Sequence, residues 1–252
     1  MNAKSIMSGS VVTARRKSTV KEISAKMIKN NALCAVVVEK KAPVGIFSGR
    51  DLLEPLDSNP DVGNLTMEEV MHPPTPLIRE NQDFFTAVRM SGRHDVWRFA
   101  VVDEAGNLKG VATETEVLAK FALSTFPFNM RLATFSSHGI SASPKNTLKK
   151  IISLMSQSRQ NCVTLALNHK PAGMVDERTL LKLVSKDALK AEAGKKMTKR
   201  MAVCHADDGV REAVLKMLKM KETSIVITND NGWYQGIIQQ NDLVKHIEKT
   251  HL

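Results

Sequence analysis

Aromatic residues are scarce, at 4% of 252 residues, which counts against a protein that stacks single-stranded bases on a platform of rings. The three cysteines, Cys34, Cys162 and Cys204, are odd in number and far apart, which disfavours a disulfide framework or a zinc knuckle. The seven histidines are scattered, with no HxxxH or HxH spacing, so no local metal site is expected. No apolar run reaches the ~20 residues that cross a bilayer, and the opening MNAKSIMSGS has no apolar core of a secretory signal. The expectation is a cytoplasmic protein with no membrane insertion. GxSxG, P-loop, HExxH and Rossmann patterns are all missing. No spacing joins Ser, His and Asp into a triad, so the chain is not expected to be an enzyme or to carry a catalytic cofactor.

The chain does hold 42% hydrophobic and 25% charged residues, the balance of a soluble globular protein. Its net charge of +10 is lopsided. Residues 1–126 carry 16 basic against 15 acidic side chains, whereas residues 127–252 carry 20 against 11. The excess is densest in KLVSKDALKAEAGKKMTKR, residues 182–200. Such a stretch could attract phosphates, nucleic acid or an acidic protein. The plainer reading, which is preferred, is a solvated helix face and linker. No helix-turn-helix, zinc-finger or RNA-binding signature accompanies the charge.

Self-similarity is the main signal. Gly45, Gly110, Gly173 and Gly236 are separated by 65, 63 and 63 residues. A helix-like apolar stripe precedes each: VKEISAKMIKN, FFTAVRMSG, LKKIISLMSQ and VREAVLKMLKM. Met27, Met90, Met155 and Met217 fall at nearly the same distance before their glycines, which reads as repeated core packing instead of a soft-metal site. Short strand candidates follow, CAVVVE, RFAVVDE, CVTLAL and SIVITND. The turns KKAP, DEAGN, NHKP and NDNG then lead to second strands at VGIF, KGVA, AGMV and QGII. Cys34 and Cys162 lie at equivalent positions, as small buried strand residues would.

The closing stretches RDLLEPL, ETEVLAKF, ERTLLKLV and QNDLVKHI read as helices with Asp or Glu in the first turn. The fold class is therefore α/β, built from four β-α-β-β-α repeats of about sixty residues. A unit of that size buries a marginal core alone, so the repeats are expected to dock in pairs, 1 with 2 and 3 with 4. The expected spans are 1–57, 66–124, 128–187 and 192–252, giving modules 1–124 and 128–252. The segment ALSTFPFNMRLA, residues 122–133, is the expected connection.

These repeats resemble CBS domains, the nucleotide-sensing modules named after cystathionine β-synthase. The most specific element is Gly, two apolar residues, Ser or Thr, two variable residues, then Asp. GIFSGRD, Gly45 to Asp51, has it complete. GVATETE keeps Thr113 but ends on Glu116, GMVDERT has neither polar residue in place, and GIIQQND keeps Asp242 but has Gln239. EVMHPPTPLI and GKKMTKRMAVC also resemble the family's repeat openings.

The resemblance implies that paired repeats form Bateman modules whose clefts bind an adenosyl ligand: AMP, ADP, ATP, NAD or S-adenosylmethionine. It also implies roles for single residues. Gly45 admits a close approach, Asp51 accepts from the ribose hydroxyls, and Ser48 meets a phosphate at the start of the last helix. Arg50 adds a charge-assisted contact, and Thr13 lies near the base. Against this stands a purely local reading, in which Ser48 caps the helix and Asp51 sits in its first turn. Thr113 and Glu116 would form a weaker second site. Arg93, His94 and Arg98 are either phosphate ligands for that module or a solvated helix end. In the second module Asp242 could hold ribose, while Asp176 would repel phosphate.

Two functions follow. The first is a regulatory sensor that binds an adenine nucleotide, rearranges its modules and signals to an unidentified protein partner, with a homodimer expected. The second is a nucleic-acid or acidic-partner binder using the basic second half.

Overall fold

The computed structural model describes residues 2–59, 61–73, 77–85, 98–122, 130–135, 139–158, 160–184 and 189–251. The first repeat runs β1 (Val12–Ala14), α1 (Val20–Lys29), β2 (Cys34–Glu39) and β3 (Ala42–Ser48), then a 3-10 turn (Gly49–Leu52) into α2 (Leu53–Ser58). The second has α3 (Met67–Val70), β4 (Leu77–Arg79), β5 (Phe99–Val102), β6 (Leu108–Ala112) and α4 (Glu114–Ala122). The third has β7 (Ser141–Ala142), α5 (Leu148–Ser158), β8 (Cys162–Leu167), β9 (Lys170–Asp176) and α6 (Glu177–Val184). The fourth has β10 (Ala202–His205), α7 (Val210–Met220), β11 (Ser224–Thr228), β12 (Tyr234–Gln239) and α8 (Gln240–His251). The β-α-β-β-α order is thus seen in repeats 1, 3 and 4. The stripe around Met90 lies outside the described residues.

Each repeat carries its own three-stranded sheet in sequential order. The first pair of strands is parallel in all four; parallel neighbours need a crossover, which α1, α5 and α7 supply in repeats 1, 3 and 4. Helix α1 shows why that segment is helical. Thr19 caps it by accepting the Glu22 amide, and Glu22 and Lys26 pair one turn apart at 2.7 Å. Val20, Ile23 and Met27 line its buried face. The second and third strands form hairpins. Lys40–Lys41 and Asn168–His169 both take positive φ at their tips, the geometry of two-residue turns whose twist matches the strands.

The repeat glycines sit at one structural position. Gly45, Gly110 and Gly236 pair with Val37, Val101 and Ile227, each beside a register shift in the hairpin. A side chain at Gly45 would collide with the thioether of Met71, and a Cβ at Gly110 would lie 2.7 Å from the Ser8 carbonyl. What crosses Gly45, Gly110 and Gly173 is the opening segment of another repeat, bridged to the next residue: Ile46 with His72, Val111 with Ser8, and Met174 with Thr198.

Two clusters join the sheets as expected. Cys34, Val36 and Ile46 pack with Ala100 and Val111, pairing repeats 1 and 2. Cys162 and Met174 pack with Val226 and Ile237, pairing repeats 3 and 4. All three cysteines are buried free thiols.

The chain divides into two compact units that differ from these sequence pairs. The first comprises Met1–Thr113, Met155–Asn161 and Asp176–Leu189, and within it α6 packs on α1 and on the Gly49–Leu52 turn. The second comprises Glu114–Leu154, Cys162–Val175 and Lys190–Leu252, and within it α4 packs on α7 and α8.

Met27, Met155 and Met217 are fully buried, in keeping with repeated core. Met217→Ala should cost about 2–5 kcal/mol of unfolding free energy through lost burial and the cavity left behind. Denaturant unfolding measures it, and a loss below about 1 kcal/mol would contradict tight packing of that stripe.

Candidate functional site

Strand β3 delivers Ser48 to the start of the 3-10 turn, where its backbone is still extended. Asp51 folds back over it. Its Oδ2 accepts the Ser48 amide at 2.6 Å and the Ser48 hydroxyl at 2.9 Å, a reciprocal cap of the helix start. The other oxygen, Oδ1, lies 3.0 Å from His72 Nε2, and the Asp51 side chain is only 7% exposed while His72 is 72% exposed. His72 reaches this place because its backbone bridges to Ile46, one residue beyond Gly45. The local capping reading and the ligand-site reading thus fall on the same two residues, Ser48 and Asp51. An ionised carboxylate has about four lone-pair positions, so Asp51 keeps acceptor capacity beyond Ser48 and His72.

Beside this carboxylate lies a cleft of about 600 Å³ lined by Arg50, Asp51, Glu54, Glu69, Met71 and His72 among others. That is the size of a small-molecule site. Arg50 brings a positive charge and Asp51, Glu54 and Glu69 bring carboxyl groups, while Met71 and neighbouring Leu65 and Val70 form an apolar wall. Thr13 is exposed on β1, opposite Val36 in register, and is not among the lining residues.

The remaining candidates are placed as follows. Thr113 is buried at the end of β6, and Glu116 is half-buried in the first turn of α4. Arg93 and His94 lie outside the described residues. Arg98 is buried immediately before β5, and its Nη2 donates to both oxygens of Glu177 at 3.1 and 3.0 Å. Asp242 accepts the Gln239 amide at 2.9 Å. Burial of its carboxyl pushes it above the ordinary aspartate range, with the Gln239 amide and Lys245 pulling the other way, although the residue as a whole keeps an exposed edge.

Repeat 3 holds a contact that the sequence alone does not show. Its two polar residues are present but exchanged. Asp176 stands in the hydroxyl position and Thr179 in the carboxylate position, and Asp176 Oδ1 accepts both the Thr179 amide at 2.8 Å and its hydroxyl at 2.6 Å. Both side chains are buried. The pair satisfies itself and caps α6, with the carboxylate at the opposite end of the turn. The sequence places Asp176 at the hydroxyl position; the two hydrogen bonds from Thr179 back to it are seen only in the fold. His72 and Glu177 were missed too. The signal for His72 was its place directly after the opening Met71; nothing local marks Glu177.

Among the described residues no group of three His, Cys, Asp or Glu side chains is placed to hold a metal ion, and no helix is long and apolar enough to cross a membrane. Two residues of the basic stretch have partners at the surface. Arg200 Nη2 donates to the Met220 carbonyl at 2.6 Å and its Nε lies 3.5 Å from Glu222, while Lys195 pairs with Glu192 at 3.5 Å.

The CBS domain profile matches residues 3–58, 67–123 and 192–249; the third repeat lies outside these spans. An uncharacterized protein of Methanopyrus kandleri, MK0525, is 30% identical over 112 residues, covering 43% of this chain and 56% of that protein. Protein MJ1225 of Methanocaldococcus jannaschii is 26% identical over 123 residues, covering 44% of each chain. The chain thus spans about half the length of these curated relatives. The crystal structure of MJ1225, which is proposed as an archaeal homolog of g-AMPK, superposes with a TM-score of 0.86 at 16% identity, covering 98% of this chain and 100% of that one. An uncharacterized conserved protein of Pyrococcus horikoshii superposes with a TM-score of 0.64 at 22% identity, over 98% and 100% of the two chains. At these identities the structures speak for the fold.

The caps can be weighed without any ligand. Asp176→Ala removes the acceptor of two buried donors and should destabilise the chain by about 1–3 kcal/mol. Thermal or denaturant unfolding reads the change. A loss below about 0.5 kcal/mol would mean that the exchanged pair contributes no more than an ordinary surface contact.

Proposed function

We propose that this chain, which belongs to the CBS-domain family, is a regulatory module that binds an adenosyl ligand principally at Ser48 and Asp51. The observation that carries the reading is the buried Asp51 carboxylate facing an open cleft of about 600 Å³. A carboxylate at the edge of a partly apolar cleft suits a ribose diol, since it accepts only and can take two hydroxyl protons at once.

The regulatory step follows from what already occupies that carboxylate. Ribose hydroxyls arriving at Oδ1 compete with His72, which lies on the segment that crosses Gly45. A ligand that binds better when His72 is displaced shifts the seating of that segment, and with it the second repeat, because differential affinity is what moves such an equilibrium. Ser48 is then released from Asp51 to donate to a phosphate, and Arg50 faces the same cleft. The proposed repeat spans are 1–57, 66–124, 128–187 and 192–252, and the proposed output is contact with another protein or a second copy of this chain.

Thr113, Glu116 and Asp242 are proposed as secondary positions, Asp242 keeping the family's Asp where Glu116 is longer by a methylene. The alternative, a nucleic-acid or acidic-partner binder using the basic second half, is less favoured, since no nucleic-acid-binding signature accompanies that charge.

Calorimetry on the full chain with AMP, ATP and S-adenosylmethionine tests the site. Asp51→Ala should weaken binding about 10- to 150-fold, the worth of charge-assisted hydrogen bonds of roughly 1.5–3 kcal/mol. Ser48→Ala should cost less, and only for ligands that carry phosphate. Asp242→Ala should leave this site almost unchanged. If Asp51→Ala binds as the parent does, or Asp242→Ala alone loses the ligand, the principal site lies elsewhere.

A further inference from the structure

The cleft beside Asp51 already holds a donor on the oxygen that a ribose would need. His72 Nε2 lies 3.0 Å from Asp51 Oδ1. The other oxygen, Oδ2, accepts the Ser48 amide and hydroxyl at 2.6 and 2.9 Å. Of these three donors, only the imidazole changes its charge with pH. Both residues line the same cleft and belong to the same compact unit.

The charges around this contact favour an imidazolium. Among the described residues that line the cleft, the turn brings Arg50 and Asp51, α2 brings Glu54 and α3 brings Glu69. The Thr66 amide and hydroxyl both donate to Glu69 and hold its carboxyl below the ordinary range. Glu68, also on α3, pairs with Arg16 at 3.1 Å. Strand β3, to which the His72 backbone is bridged at Ile46, carries no acidic or basic side chain, and α5 contributes only the neutral Ser156. Helix α6, which packs on the turn, brings Glu177 already paired with Arg98. Three carboxyl groups against one guanidinium make a surround that favours a cation.

Protonation changes how firmly Oδ1 is held. An imidazolium donates a charge-assisted hydrogen bond, about twice as strong as the neutral imidazole's. A ribose hydroxyl therefore displaces the neutral ring more readily than the charged one. Histidine changes charge between about pH 5 and 8, so the competition swings within that range. A displaced imidazolium loses its counter-charge and gives its proton to solvent. Ligand binding and protonation of His72 then weaken each other by the same factor.

We propose that His72 is a proton-linked gate on the first-repeat cleft: its imidazolium holds Asp51 Oδ1 against the ribose diol, and its deprotonation releases that oxygen, so that an adenosyl ligand binds more tightly as pH rises through the histidine's titration. The proposal rests on the Ser48–Asp51 reading and adds the regulation of that site by protons.

Calorimetry with adenosine on the full chain reads the gate, because adenosine neither titrates between about pH 5.5 and 8.5 nor carries a phosphate that an imidazolium would attract. The parent should bind about three- to tenfold more tightly at the higher pH, the difference between a charge-assisted and a neutral hydrogen bond. His72→Gln keeps a neutral donor and loses the titration. It should bind alike at both pH values, with the affinity that the parent shows at the higher one. At about pH 6.5, binding to the parent should release protons, seen as a heat that varies with the ionisation enthalpy of the buffer, and binding to His72→Gln should release none. The exchange spares the fold, since the His72 side chain is 72% exposed and its bridge to Ile46 is made by the backbone. A parental affinity constant within about twofold across this range overturns the proposal. So does tighter binding at the lower pH, or a pH dependence that His72→Gln retains. Asp51→Ala separates the gate from the site. If that variant loses adenosine affinity at the higher pH while the parent is indifferent to pH, the Ser48–Asp51 reading stands and the gate alone falls. If adenosine binds the parent and Asp51→Ala alike, or binds neither, that reading fails and the gate fails with it.

Discussion

The seating of one repeat's opening segment across another repeat's glycine is the constraint on which the rest depends. Met71 lies over Gly45, Met7 and Ser8 over Gly110, and Met197 over Gly173. In each case the segment bridges to the residue after the glycine. Only a residue without a Cβ lets a thioether and a carbonyl come that close to a strand. Repeats 1 and 2 make the exchange in both directions, which ties their sheets together where Cys34, Val36 and Ile46 meet Ala100 and Val111. A repeat of about sixty residues could not bury such a core alone. The same seating carries His72 to Asp51, so the packing device and the candidate site share one segment.

That sharing lets one turn both hold the fold and serve the proposed ligand. The carboxylate that caps the turn through Ser48 is also the group that the proposed ligand needs. Its protein partners are modest and replaceable: a neutral hydroxyl, an amide and an exposed histidine. Repeat 3 shows the other outcome. With Asp176 and Thr179 exchanged, Asp176 accepts both donors of Thr179 among buried atoms and caps α6. One spacing of three residues thus supports two fates, decided by which end carries the charge.

Much of this was legible in the sequence. The glycine beat, the methionine stripe and the turn residues report local geometry, which repeats because each repeat solves the same local problem. The structure accordingly has the four sheets, the hairpins at Lys40–Lys41 and Asn168–His169, and buried Met27, Met155 and Met217. The pairing of repeats 1 with 2 and 3 with 4 could also be read, since marginal cores must be completed by a neighbour. GIFSGRD pointed to the Ser48–Asp51 turn because both polar residues lie within one turn of chain.

What only the tertiary structure decided are the partners brought from far along the chain. Arg98 and Glu177 are separated by 79 residues, and no period or motif links them. The grouping of α6 with α1, and of α4 with α7 and α8, cuts across the sequence pairs. The physical reason is the same in both. Hydrophobic periodicity tells a helix which face to bury but not against which other helix, because apolar burial has no directional preference. A buried charge demands a counter-charge but not a particular address. The sequence by itself therefore determined the repeats, their turns and the Ser48–Asp51 pair, and the folded chain alone decided that His72 sits on Asp51 and that Glu177 holds Arg98.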